Sequence, residues 1–361
     1  MKVAVLGAGE MGATVIEHLS KLDLVSESIA YDIRPSRVEK LKGMGIKATA
    51  DLQGILDDPE VKVVFVTSSN DSHKELVLRS LAAGKATMTE KPIANTLSDA
   101  SEMVEASERL GVFFQVGFEL RYSKLYTKIK DWIDAGLLGN VVNSNCYYIA
   151  SVWNKGIWRN QKETCGGMFG EKLSHYVDLP RWWIGSPVVD VTSYSAPNTV
   201  PYFEIRDNYH TSYRFANGAV SHLTFMMGPA AHFDGDPLRD MIEQQKDDGH
   251  ILRYLVVGTK GAAEGDVFRR TLKRWAFSDH PEYMNSQLVQ TQTWDAKEDH
   301  FYFHCTTDQT KDIVWRVHEG LPPKTSARDA LETMKLCFAA EKSSDLARTV
   351  KLDEELENYS V

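Results

Sequence analysis

The sequence predicts an α/β N-terminal domain built on a doubly wound parallel sheet, joined to an α+β domain with a large, mostly antiparallel open sheet. Three observations carry this. A Gly-x-Gly-x-x-Gly run, Gly7-Ala8-Gly9-Glu10-Met11-Gly12, directly follows the apolar segment VAVL. Short Val- and Ile-rich runs alternate with segments of helical period as far as about Gly117. Beyond about residue 140 the texture changes to alternating polar and apolar residues with wide spacing, the pattern of a half-buried antiparallel sheet.

In chain order, VAVLG reads as the first strand, and Val15, Ile16, Leu19 and Leu22 give the helical spacing behind it. SIAYD, the helix-like PSRVEKLKG, a short IKATA and the helix-like DLQGILDD follow, and VKVVFVTSS is the next clear strand. DSHKELVLRSLAAG ends on Gly84, ATMTEKP is a brief strand, and SDASEMVEASERLG runs to Gly111 before VFFQVGF. After the helical connector SKLYTKIKDWIDAGLLG, VVNSNCYYIASVW opens the second sheet. HTSYRF and AVSHLTFMM read as a hairpin, because Asn217-Gly218 supplies the positive φ angles that a tight two-residue turn needs. RYLVVGTKGAAEGD reads as a second hairpin. GGMFGEKLSHYVDLPRWWIG is helical in spacing, and TSARDALETMKLCFAAEKSSDLA is a long amphipathic helix opened by Ser326 with Asp329 three residues on. The stretch from about Pro229 to Gly249 reads as a long loop, expected near a substrate mouth. Boundaries follow: residues 1–120 for nucleotide binding, 121–325 for substrate binding and oligomerisation, and a C-terminal helix and tail over 326–361 packing back towards the first domain.

Composition bounds the function. With 361 residues, 43% hydrophobic and 25% charged, the chain has ample core for two domains and no signature of disorder or a membrane span. A formal net charge of −9 and a pI near 5.7 argue against broad attraction to nucleic acid or anionic lipid, so a small molecule is the expected partner. Cys146, Cys165, Cys305 and Cys337 lie far apart without C-x-x-C spacing and read as buried thiols of a reducing compartment. The opening residues form a strand and turn rather than an export signal, which points to the cytoplasm.

The glycine run sits between a predicted strand and a predicted helix, the context that makes it a Rossmann dinucleotide site. Gly7 permits the tight turn, Gly9 lets backbone amides approach a pyrophosphate, and Gly12 allows close helix packing, with Glu10 and Met11 opening the helix whose N-terminus favours the anion. Asp32 ends the second strand twenty residues after Gly12, where a carboxylate can accept from ribose hydroxyls. That favours NAD, while Arg34 can turn toward a 2′-phosphate and keeps NADP open.

Thr89-Glu90-Lys91-Pro92 resembles the Glu-Lys-Pro motif of the Gfo/Idh/MocA family of glucose-fructose oxidoreductases and inositol dehydrogenases. Thr67-Ser68-Ser69-Asn70-Asp71-Ser72-His73 is similar to that family's loop beside the nicotinamide, and Val116-Gly117-Phe118-Glu119-Leu120-Arg121-Tyr122 to its interdomain crossover. Trp158-Arg159, Gly166-Gly167 and the closing helix agree in order, so the resemblance spans nearly the whole chain. It implies cofactor contacts from Thr67, Ser68, Asn70, His73, Glu90 and Lys91, and a cis bond before Pro92. It also implies that Lys91 touches the substrate hydroxyl. The chemistry agrees: a hydride leaves a carbinol carbon only if the hydroxyl proton leaves too, so a lysine or histidine must stand within about 2.6–3.2 Å of that oxygen.

Glu171-Lys172-Leu173-Ser174-His175 resembles the family's second catalytic segment. On a helix, Glu171 and His175 share a face and Asp178 continues it. Many members carry Asp where this chain has Glu171, and Lys172 beside it is either a substrate ligand or an added charge. Arg121, Tyr122, Trp153, Trp158 and Arg159 fall in segments the resemblance places at the cleft, and aromatic faces with Arg or Tyr donors suit a sugar. His300 and His304 read as structural or rim residues, and no spacing supports a metal. The function implied is hydride transfer between NAD(P) and a secondary alcohol of a sugar, glycoside or cyclitol. Two alternatives stand beside it: a glycosidase or sugar–sugar oxidoreductase that recycles its NAD in place, and a non-catalytic cofactor-sensing regulator. A homodimer or homotetramer through the open face of the second sheet is also implied.

Overall fold

The computed structural model describes residues 1–232 and 249–353. The first sheet is six-stranded and parallel, in the order β3-β2-β1-β4-β5-β6. Its strands are β1 (Lys2–Leu6), β2 (Glu27–Tyr31), β3 (Ala48–Thr49), β4 (Val61–Val66), β5 (Ala86–Thr89) and β6 (Phe114–Val116). Val3, Ala4, Val5 and Leu6 are all fully buried, as a central strand covered on both faces demands. The sheet order reverses between β1 and β4, and α1 (Glu10–Leu19) starts at the C-terminal end of β1, beside that reversal where open α/β sheets bind ligands. The predicted fold class is the one observed.

The second sheet has nine strands in the order β14-β13-β12-β11-β7-β10-β9-β8-β15 and is antiparallel apart from the β7–β10 pair. Its strands are β7 (Val141–Ala150), β8 (Val188–Tyr194), β9 (Asn208–Phe215), β10 (Val220–Met227), β11 (Ile251–Gly258), β12 (Gly261–Asp266), β13 (Thr271–Asp279), β14 (Met284–Thr293) and β15 (Val350–Lys351). The helix α8 (Ser174–Ile184) lies against β7 and β10, and its Tyr176 stacks on Tyr254 of β11. The β9–β10 connection departs from expectation. Phe215 N donates to Ala219 O across a three-residue loop, only Gly218 takes a positive φ (+86°), and Asn217 instead accepts from Ala219 N through its side chain. An Asx contact replaces one of the two left-handed residues, so the turn is one residue wider.

Two late helices tie the domains together. The first, Thr306–Glu319, lies in the stretch assigned by sequence to the second domain, yet its Ile313 and Val314 are fully buried in one cluster with Val15, Ile16 and Leu19 of α1. The second, Ala327–Leu346, is capped by Ser326, whose Oγ accepts from Asp329 N at 3.2 Å, and packs on both α8 and α5 (Leu97–Leu110). Just before it, Thr325 pairs with Val116 on the edge of β6. All four cysteines are buried and free. The Pro229–Gly249 stretch, and with it the expected substrate-mouth loop, lies for the most part outside the described residues.

Candidate active site

The nucleotide groove is shaped by what its glycines exclude and leave open. A Cβ on Gly7, which has φ +101°, would meet Ser68 backbone at 2.6 Å, and one on Gly12 would meet Gly7 O at 2.1 Å. A Cβ on Gly9 would stand in open space with nothing within 4 Å, at the N-cap of α1, where no side chain caps the helix. Bare amides beside a cavity at a helix N-terminus fit a pyrophosphate. Thr67 Oγ1 donates to Gly7 O at 2.7 Å and so pins the turn from β4. Asp32 is buried at the end of β2 and accepts from Ala8 N and, at 2.9 Å through each oxygen, from the Arg34 guanidinium. The Arg34 hydrogen bonds outweigh burial and hold the Asp32 carboxyl below its ordinary value.

Two residues expected to contact the cofactor, His73 and Asn70, make scaffold contacts. His73 is fully buried, with Nδ1 2.9 Å from Pro92 O and Nε2 3.2 Å from Ser68 O, so its one N–H donates to a backbone carbonyl while the other nitrogen faces a second. Asn70 donates its amide to Cys165 O at 3.0 Å. Both hold the loop after β4 to its neighbours, and their short polar side chains read the same in sequence as ligand contacts would.

Lys91 reaches out of the first domain. The Lys91–Pro92 peptide is cis, and Lys91 Nζ donates to the Glu171 carbonyl and lies 3.3 Å from Glu171 Oε2. Glu171 sits on a π turn, Phe169–Leu173, that leads into α8. Its other oxygen, Oε1, is 2.7 Å from Arg159 Nε. Burial would raise the Glu171 carboxyl, but Lys91, then Arg159 and Lys172, outweigh it and hold the pKa below the ordinary value. Wider winding through residues 169–173 replaces the uniform 3.6-residue period, and Glu171 and His175 answer different partners.

His175 lies 3.2 Å from Glu119 Oε1 through Nε2, off the line of a hydrogen bond, and its buried Nδ1 has no partner. The same Glu119 oxygen is 2.7 Å from His304 Nδ1. Burial alone would raise the Glu119 carboxyl; the two histidines reverse this and hold it well below the usual range. Burial dominates at His304, lowering its pKa, so a neutral His304 donates Nδ1–H to an ionised Glu119. Beneath Lys91, burial pushes the Glu90 carboxyl up to about 8, helped by Glu119. Sequence reasoning missed Glu119 and read His304 as a structural or rim residue. The available signal was a glutamate inside an otherwise apolar crossover, VGFEL, where burial forces it to find a cationic or N–H partner.

Arg121 and Tyr122, expected at the cleft as substrate ligands, are bonded within the scaffold. Arg121 is buried, donates through Nε and Nη2 to Asp178, and has Nη1 2.7 Å from Asp329. Tyr122 donates its hydroxyl to Asp312 at 2.9 Å and accepts from Gln115. Asp178 therefore turns to the Ala327–Leu346 helix, where Thr333 also donates to it, and does not continue the face of His175. Trp153, Trp158, Arg159 and Lys172 do gather by the π turn: Lys172 Nζ stands 5.5 Å from the Trp153 ring and Arg159 stacks on Trp158 at 5.5 Å. Among the described residues no cluster of three His, Cys, Asp or Glu could hold a metal.

With this geometry in place, the relatives are informative. The family described as "Oxidoreductase family, NAD-binding Rossmann fold" matches residues 1–118, and the "GFO/IDH/MocA C-terminal domain" matches residues 126–264. The chain belongs to the Gfo/Idh/MocA family and is an NAD-dependent oxidoreductase of that class. It is 26% identical to the myo-inositol 2-dehydrogenase of Thermotoga maritima, over 98% of this chain and 99% of that one. It is also 26% identical to the scyllo-inositol 2-dehydrogenase (NAD(+)) of Bacillus subtilis, over 76% of this chain and 75% of that one. Its fold matches levoglucosan dehydrogenase in complex with NADH and levoglucosan, with a TM-score of 0.80 at 20% identity, over 98% of this chain and 100% of that one.

Proposed function

We propose that the protein moves a hydride reversibly between NAD and a secondary alcohol of a sugar or cyclitol. The observation that carries the reading is the meeting of Lys91 with the Glu171 turn, beside a buried imidazole whose Nδ1 has no partner. When bound, the nicotinamide takes or returns the hydride; the chain's own side chains manage the proton. Lys91 Nζ, held by Glu171, offers the donor that fixes the substrate oxygen. His175 presents a free nitrogen to the hydroxyl proton, and Glu119 beside Nε2 offsets the imidazolium charge that results. Glu171 itself is a positioning residue, matched to Lys91 and Arg159. The relatives named for inositol 2-dehydrogenation support the substrate class.

The reading extends to a homodimer or homotetramer through the open face of the nine-stranded sheet, working in the cytoplasm. Tyr147, Leu288 and Val289, each more than 40% exposed on central and edge strands, support the assembly. No described helix is long and apolar enough to cross a membrane.

The test follows absorbance at 340 nm with NAD and a panel of inositols, hexoses, hexuronates and glycosides. A steady rise with one class, lost in Lys91→Ala while NAD still binds, is the expected result. Substrate loss without a rise identifies internal cofactor recycling, and silence despite tight NAD binding identifies a regulator; either overturns the reading.

A further inference from the structure

We infer that the substrate is an acidic sugar, one whose ring carries a carboxylate or a phosphate, and that Lys172 receives the anionic group. The inference rests on the dehydrogenase reading and names the substrate class for that site. Among the described residues, the Glu171 carboxylate on the π turn is met by three cations, Lys91, Arg159 and Lys172. Arg159 Nε lies 2.7 Å from its Oε1, an ion pair without hydrogen-bond alignment, and Lys91 Nζ lies 3.3 Å from its Oε2. Lys172 is left over. It is half-buried, makes no ion pair or hydrogen bond among the described residues, and stands 5.0 Å from the Tyr148 ring and 5.5 Å from the Trp153 ring.

Aromatic faces stabilise an ammonium from the side but leave its N–H donors unfilled, since a ring offers no lone pair. A neutral cyclitol needs no such charge, and a half-desolvated cation costs free energy unless something answers it. The surplus is also local: the chain as a whole carries −9, so a positive cleft is not a by-product of a basic protein. The aromatic row that begins at Trp153 continues through Phe203, stacked at 5.8 Å, to Tyr202, and Lys155 covers that outer ring at 5.2 Å. Two lysines therefore bracket one aromatic wall. The wall suits the C–H face of a sugar ring, and the lysines suit an anion at its edge.

The experiment compares glucose, galactose and mannose with the matching hexuronates and hexose 6-phosphates, by kcat/KM and by titration calorimetry against NAD-loaded protein, in wild type, Lys172→Gln and Lys172→Arg. One acidic group is expected to outperform its neutral parent by roughly ten- to hundredfold. Lys172→Gln should erase the preference, and Lys172→Arg should keep most of it. The hexuronate and phosphate arms distinguish the two anions. Neutral sugars equal to or better than both acidic arms, or a preference that survives Lys172→Gln, overturns the inference while leaving a dehydrogenase. Discrimination in binding without any turnover supports the inference and overturns the dehydrogenase reading alone.

Discussion

One face of α8 turns Asp178 toward Arg121, and another turns His175 toward Glu119. Both are buried clusters that join an interdomain segment to the helix, and they are built by opposite rules. Around Arg121, Asp178 takes Nε and Nη2, Asp329 takes Nη1, Thr333 donates to Asp178, and Arg181 donates to Asp329 at 2.7 Å. Around Glu119, Oε2 and His175 Nδ1 have no hydrogen-bond partner, and His175 Nε2 is near its carboxylate without alignment. A saturated cluster has nothing left to bind; an unsaturated one holds its capacity for a ligand. The difference separates scaffold from site more sharply than burial does, because both clusters are buried.

The largest effect expected is on the unsaturated side. Lys91→Ala removes a proton-handling donor, and such groups contribute about 10²–10⁴-fold to rate. A fall of about a thousandfold in kcat with NAD affinity and thermal midpoint nearly unchanged is expected, measured by steady-state kinetics and melting. A comparable loss of stability would erase the distinction between the clusters.

Asp178→Ala should do the reverse. It leaves the Arg121 guanidinium buried with only Asp329, and breaking a buried pair costs about 3–5 kcal/mol. The surviving Asp329 contact places the expected loss near the lower end, read by urea unfolding, while kcat per folded molecule stays within severalfold. A large drop in kcat with unchanged stability would return Asp178 to the catalytic face.

Glu119→Gln sits between these. The variant fills the same volume but removes the charge that offsets an imidazolium at His175, so kcat should fall about tenfold or more with the thermal midpoint little changed. His304→Gln retains a donor to Glu119 and should lower kcat less. A merely structural Glu119 would lower stability and leave kcat per folded molecule unchanged.

Much of this was legible in sequence, and the reasons for the misses are specific. The parallel sheet, the glycine turn and the Ser326 cap are written in contiguous residues, so local rules reach them. Glu119 and His304 are 185 positions apart and meet only because the chain returns past the crossover before the Thr306–Glu319 helix. Asp178 was misplaced by assuming one helical face from residue 171 onward, a projection that the π turn breaks. Asn70 and His73 fell where the family resemblance located ligands, but backbone carbonyls satisfy them first.

The smallest effect tests the floor beneath both Lys91 and Glu119. Burial, with Glu119 adding to it and Lys91 opposing, pushes the Glu90 carboxyl up to about 8 from an ordinary value of 4.5. Below pH 4.5 the carboxyl is protonated folded or unfolded, and it adds no pH dependence. Between 4.5 and about 8 the unfolded chain releases the proton while the folded protein keeps it, so stability falls as pH rises through that window. Above about 8 the full penalty stands. Glu90→Gln is neutral throughout and can still present an oxygen to Lys91 N, now 3.3 Å from Glu90 Oε2. Its melting temperature should equal the wild type near pH 4.5 and exceed it by a margin that grows as pH rises to 8.5. A difference that is constant across pH would mean that Glu90 is ionised in the folded protein, and the cluster under Lys91 would then carry two carboxylates rather than one.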